Sequence, residues 1–225
     1  NFNFGLTQTH ALQAGSPAIN AGSNALAVSN GVAIANDQRG APFARMNGVV
    51  DMGAFELQTT LNAREFIVTT TKDELDFSNS DVSLREAIHS ANFSAGADTI
   101  TFVPALTSSG PALITLALGE LQITDSVTMT HTGSNRLVID GDQKSRVINV
   151  IGGTGINVTL QGLTITRGVG PDDFSDGQGV GGGVLFDSTG TLKLIESSIS
   201  GNRTVSREGR GGGIYARAGR VELIS

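Results

Sequence analysis

Three carboxylates crowd five residues, Asp172, Asp173 and Asp176, in the run Pro171-Asp172-Asp173-Phe174-Ser175-Asp176-Gly177. Oxygen donors at that density suit Ca²⁺, a hard cation that takes roughly six to eight oxygen ligands. The run lacks the Asp-x-Asp-x-Asp-Gly spacing of an EF-hand and the Gly-Gly-x-Gly-x-Asp nonapeptide of a calcium β-roll. The expectation is therefore a solvated acidic loop, with a weak calcium site as its alternative. Asp37-Gln38-Arg39-Gly40 flanks a permanently charged guanidinium with a carboxylate and a glycine. That spacing predicts a local Asp37–Arg39 pair that pins a turn, with a polysaccharide contact through Arg39 as the alternative. Asp51, two residues before Gly53, is expected to bond backbone amides at a corner.

Catalytic patterns are sparse. His10, His89 and His131 lie far apart, without the i, i+4 spacing of a helical metal site. No Gly-x-Ser-x-Gly nucleophile elbow occurs. A glycosidase needs two carboxylates about 5–9 Å apart, yet Glu120, Asp125, Asp140 and Glu196 are scattered. Arg167 and Arg203 could flank the acidic loop as a lyase-like site, which keeps polysaccharide cleavage as the enzymatic rival. Asn92-Phe93-Ser94, Asn157-Val158-Thr159 and Asn202-Arg203-Thr204 match the glycosylation acceptor pattern, but Asn at coil corners reads better as structural.

The 225 residues contain 30 glycines, nearly twice the usual share of about 7%. There is no cysteine and no tryptophan, and 15 Lys and Arg against 21 Asp and Glu leave a net charge of −6. The acidic balance, without a basic patch, gives no footprint for nucleic acid. No apolar run is long enough to span a membrane, and nothing supports a disulfide framework or a thiolate site. The glycines lack the every-third-residue period of collagen.

The glycines recur instead with the strands. Gly181-Gly182-Gly183-Val184-Leu185-Phe186 returns 30 residues later as Gly211-Gly212-Gly213-Ile214-Tyr215-Ala216 (181 to 211). Leu192-Lys193-Leu194-Ile195 returns 29 residues later at 221, and 158–165 matches 192–199 at an offset of 34, with Gly168 opposite Asn202. A strand pattern that holds while the period drifts belongs to a solenoid with loops of variable length. Within 158–165, apolar residues alternate with Thr, so each coil has one face to bury and needs a neighbour to bury it. The spacing predicts Val158 over Leu192 over Val221. Upstream strands are expected at 98–102, 121–123, 127–129, 137–139 and 147–150. The predicted fold from about 98 onward is an all-β parallel β-helix. A sandwich would need hairpin turns in place of the repeated Gly-Gly-Gly.

One segment reads as helix. Over 82–92, Leu84, Ala87, Ile88 and Ala91 share a face. Ser83 and Glu86 form a capping box, and Val82 is placed to staple onto Ala87. An open solenoid end exposes apolar residues and unpaired backbone, so this helix is expected to cover it.

These residues carry a resemblance. Phe66-Ile67-Val68-Thr69-Thr70-Thr71, then Val82-Ser83-Leu84-Arg85-Glu86-Ala87-Ile88 and Ala91-Asn92, resemble the opening of the CSLREA-domain family, as do 97–102 and Ile139-Asp140-Gly141. Val82 stands where that family carries its namesake Cys. The Gly-Gly-Gly-Ile-Tyr stretch and Ser198-Ile199-Ser200-Gly201-Asn202 resemble polymorphic outer-membrane-type repeats. Ser16-Pro17-Ala18-Ile19-Asn20-Ala21-Gly22, Asp37-Gln38-Arg39-Gly40 and Val50-Asp51-Met52-Gly53-Ala54-Phe55-Glu56 resemble the choice-of-anchor module that closes such proteins. The resemblance implies a right-handed parallel β-helix on a bacterial surface.

Its order implies more, because the closing module precedes the opening one. Residues 1–56 read as the end of one unit, 57–65 as a junction, and 66–225 as the start of the next. With Asn1 first and a strand running to Ser225, the chain reads as a window across tandem copies. The expected function is an extracellular structural element, a fibre, stalk or adhesin, self-associated or covalently repeated. A β-helix that binds or cleaves surface polysaccharide is the alternative.

Overall fold

The computed structural model describes residues 10, 12, 16–40, 45–46, 49–56, 65–94, 96–171, 179–205 and 209–225. The chain divides into two compact units, 1–62 with 93–95, and 63–92 with 96–225. In the first, β1 (Val28–Ser29) and β2 (Val32–Ala33) form an antiparallel hairpin. Asn30 and Gly31 at its turn have φ of 52° and 78°. Asn-Gly tolerates that left-handed pair, which matches the twist of the flanking strands.

The second unit is a parallel β-solenoid of about five turns. Face one carries β3 (Glu65–Val68), β4 (Asp98–Phe102), β7 (Val127–Thr130), β10 (Val158–Gln161), β14 (Thr191–Ile195) and β18 (Arg220–Ile224). Face two carries β5 (Ala112–Thr115), β8 (Leu137–Asp140), β11 (Leu163–Thr166) and β15 (Ser198–Ser200). Face three carries β6 (Leu121–Ile123), β9 (Ile148–Gly153), β13 (Val184–Ser188) and β17 (Ile214–Ala216). A two-stranded sheet of β12 (Val169–Gly170) and β16 (Arg203–Thr204) fills one corner.

Register follows the repeats. Val158 pairs with Leu192, and Leu192 with Val221; Ile165 pairs with Ile199, and Val184 with Ile214. Inward side chains therefore stack into columns. On face one, Phe66, Ile100, Met129, Leu160, Leu194 and Leu223 occupy successive rungs. Strands such as β4, β7, β10 and β11 bury alternate residues, because the pleat sends neighbours to opposite faces.

Four strands of the solenoid go beyond the sequence reading. The solenoid starts at β3, not near 98, since β3 pairs in parallel with β4. β5 was absent from the expected set, as was the β12–β16 corner sheet. The one α-helix among the described residues, α1 (Leu84–Ala91), lies between β3 and β4 in the chain and buries Leu84, Ala87, Ile88 and Ala91 in the solenoid core. Val82 is half-buried against the same core.

Candidate functional site

The most elaborate polar construction surrounds α1. Ser83 caps it: its Oγ accepts from Glu86 N at 3.1 Å, while Glu86 Oε2 accepts from Ser83 N at 2.8 Å. Both orphan ends of a capping box are thus met. Ser83 Oγ also donates to Glu74 O at 2.7 Å, and Glu86 Oε1 accepts from Asp76 N at 2.5 Å. The buried Glu86 carboxylate sits at a helix N-terminus, where the dipole favours an anion.

Arg85 points the other way. Its Nε and Nη2 donate to the two carboxylate oxygens of Asp73 at 2.7 and 3.0 Å. Its remaining donors reach Gly119 O at 2.6 Å and Glu120 O at 3.0 Å. Asp73 Oδ2 further accepts from Leu118 N at 2.8 Å. At the end of α1, Asn92 Nδ2 donates to Gln122 O, and Asn92 Oδ1 accepts from Thr124 N, both at 2.8 Å. Asp73, Arg85 and Asn92 thereby engage backbone groups from 118 to 124, around β6.

Arg146 is a second fixture. Its side chain is only 1% exposed and joins three coils: Nη1 donates to Glu120 Oε2 at 2.8 Å, Nε to Gly181 O at 2.9 Å and Nη2 to Val180 O at 3.0 Å. Glu120 Oε1 accepts from Asn149 Nδ2 at 2.6 Å. The planar guanidinium suits a task that needs several fixed donors at once. At the next corner Arg167 pairs with Asp140 at 2.9 Å and Asp142 at 3.0 Å. The carboxylates Glu120 and Asp140 are therefore arginine partners in separate corners.

The triple glycines lie where coils approach closely. Gly181 and Gly211 have φ of 57° and 60°, and Val180 bridges to Arg210. A side chain at Gly182 would overlap Arg203 O, and one at Gly183 would meet Gly213 O at 2.5 Å. Gly183 N in turn donates to the carbonyls of Gly212 and Gly213. The column Gly181-Gly182-Gly183 over Gly211-Gly212-Gly213 is thus set by backbone-to-backbone contact.

In the first unit, Asp37 takes Arg39 through a fork that includes 2.9 and 2.5 Å bonds and also accepts from Glu56 N at 2.9 Å. Arg39 stacks on Phe55 with its guanidinium carbon 3.9 Å from the ring centre and donates to Glu56 O at 2.7 Å. Arg39 is buried, which removes it from contact with a surface polysaccharide. Asp51 Oδ1 accepts from Asn20 N at 2.6 Å. Glu56, not singled out in the sequence, is fully buried: its Oε2 accepts from Asp51 N at 2.8 Å and lies 3.7 Å from Arg45 Nη1.

Asp172, Asp173 and Asp176 lie outside the described residues. Among the described residues no group of three or more His, Asp or Glu side chains is placed to hold a metal ion, and no helix is long and apolar enough to cross a membrane. His131 is buried, 3.2 Å from Thr107 Oγ1 and edge-on to Phe102. His89 lies against Phe77, their ring centres 5.3 Å apart, and burial lowers its pKa from the ordinary value. Asn92, Asn157 and Asn202 all spend their amides on backbone groups: Asn157 takes Thr191 N and Gly155 O, and Asn202 takes Gly168 N and Ile165 O. No family model, curated protein or solved structure matches this chain.

Proposed function

We propose that the chain is a structural element of an extracellular array, a fibre, stalk or adhesin shaft in which tandem β-helix units follow one another. The observation that supports this reading most is the solenoid itself. Its inward columns run in register through every coil from β4 to β14. Its ion pairs Arg85–Asp73, Arg146–Glu120 and Arg167–Asp140 are spent on corners and on the capped end. Such a body gains stiffness from repetition, since each coil is held by its neighbours. The resemblance to surface β-helix proteins, with a closing module ahead of an opening one, points in the same direction. Electron microscopy of the native material tests it: continuous thin fibres support the array, and discrete particles overturn it.

A polysaccharide-binding β-helix is the second reading, favoured by the outward face of sheet one. Thr99, Thr128 and Thr159 stand in one row, and Thr101, Thr130 and Gln161 in the next, a regular set of hydroxyl and amide groups. Titration with acidic and neutral polysaccharides tests it. Saturable binding weakened in Thr128→Val supports this reading; no binding at millimolar sugar removes it.

A further inference from the structure

We propose that Asp73, Arg85 and Asn92 form an autoinhibitory seal that occupies the outward hydrogen-bonding edge of β6 and denies it to a strand of a second copy of this chain. β6 is the first strand of face three, with β9 on its other side. Leu121 N donates across to Val147 O, so Leu121 and Ile123, the odd-numbered residues of β6, turn their backbone groups toward β9. The carbonyls of Glu120 and Gln122 and the N–H of Thr124 then point away from it, toward the end of the solenoid. A row of unpaired backbone groups of this kind is a template for strand addition.

Arg85 and Asn92 meet that alternation, and Asp73 holds the bend just before the strand. Asp73 takes Leu118 N, Arg85 takes Glu120 O together with Gly119 O, and Asn92 takes Gln122 O and Thr124 N. Asn92 supplies one acceptor and one donor, as a residue of an adjoining strand would. Asp73 and Arg85 are themselves locked by their two-bond pair, and Asp73 is nearly fully buried. Water could satisfy the same backbone groups, but it would leave the edge open to exchange with an incoming strand. Side chains anchored in a capped helix do not leave. The apolar side of the edge is shut as well, since Leu121 and Ile123 lie in one buried cluster with Leu84, Ala87, Ile88 and Ala91.

The test uses the full 225-residue chain and the double variant Arg85→Lys/Asn92→Ala. Lysine keeps a cation beside buried Asp73 but lacks the fork that holds the two carbonyls. Amide exchange at Thr124 is expected to quicken about five- to tenfold for the lost bond, with Leu118 still protected by Asp73. In sedimentation velocity, the folded double variant is expected to self-associate with rising concentration while the parent chain does not. Adding Gln122→Pro removes an outward N–H that the β9 ladder does not use, a place where an edge tolerates proline, and is expected to abolish that association. A folded double variant that sediments like the parent, or association that survives Gln122→Pro, overturns the proposal. Should the double variant unfold, Asn92→Ala alone, which disturbs no buried charge, must show the same Thr124 exchange and a weaker association; unchanged Thr124 protection sinks the idea.

Discussion

At the scale of single residues, two corners 34 positions apart (162 and 196) make one conformational demand and meet it differently. Gly162 and Glu196 both hold left-handed backbone, with φ of 68° and 47°. A side chain in that region costs about 1–2 kcal/mol. At Gly162 an added Cβ would also collide with His131 O. Gly162→Ala is therefore expected to destabilise by more than about 2 kcal/mol. Glu196→Gly removes the strain and returns only about 0.5–1 kcal/mol through unfolded-state entropy, so it is expected to be neutral or stabilising. Urea midpoints of the two variants check this, and a loss of stability in Glu196→Gly refutes it. His89 makes a separate demand. It sits in the last turn of α1, where the helix dipole favours a cation, yet burial prevails and lowers its pKa from 6.5. The unfolded chain then binds the proton more readily, so stability rises with pH across that interval. His89 contributes fully above the ordinary value, and that contribution is lost as pH falls through the lowered one. Thermal midpoints measured from about pH 7 down to about pH 5 are expected to fall less in His89→Gln than in the parent chain.

Elements join through corners, and Arg146 shows how much one corner carries. Replacing it with Met strands the carboxylate of Glu120 beside Asn149 and frees the carbonyls of Val180 and Gly181. Removing one partner of a buried pair typically costs about 3–5 kcal/mol; Glu120 retains some solvent contact, which places the expectation near about 3 kcal/mol. Arg146→Lys should fall between, because an ammonium cannot hold three directions at fixed angles. Equal urea midpoints for Arg146→Met and the parent would refute the corner role. Arg146 also marks what was legible in the sequence. Strands with clean alternation and a glycine corner, such as 158–165 and 191–199, announce both their type and their register. The capping box did so too, because its partners lie three residues apart. β5 hid behind Leu113, which faces solvent between the buried Ala112 and Ile114, and behind Leu118, exposed just beyond the buried Leu116, and that apolar outer side blurs the period. Arg146, Glu56, Asp73 and Asn92 act across 26, 5, 45 and 30 to 32 residues respectively. Apart from Glu56, such reach follows from coil stacking rather than from local spacing. Sequence could name Arg85 as part of a motif, but only the stacked coils show what it holds.

For the whole molecule, the column arrangement makes the worth of a residue depend on its rung rather than its type. Leu160, Leu194 and Leu223 are the same residue in consecutive coils of one inward column. Leu160 has coils on both sides and is fully buried, Leu194 is 4% exposed, and Leu223 is 74% exposed on the last rung. Hydrophobic stabilisation scales with the area withdrawn from water, at about 25 cal/mol per Å². In a nearest-neighbour stack each inner residue draws that area from the coils above and below. Leu160→Ala and Leu194→Ala should each cost about 2–5 kcal/mol, the range for truncating a core leucine, whereas Leu223→Ala should cost less than about 1 kcal/mol. The same gradient should appear in amide exchange, with β18 opening at lower free energy than β10, because local stability tracks the contacts that must be broken. Chemical denaturation of the three variants decides the matter. If Leu223→Ala proves as damaging as Leu160→Ala, the last coil is supported by something other than its neighbour, and nearest-neighbour stacking fails as the account of this fold.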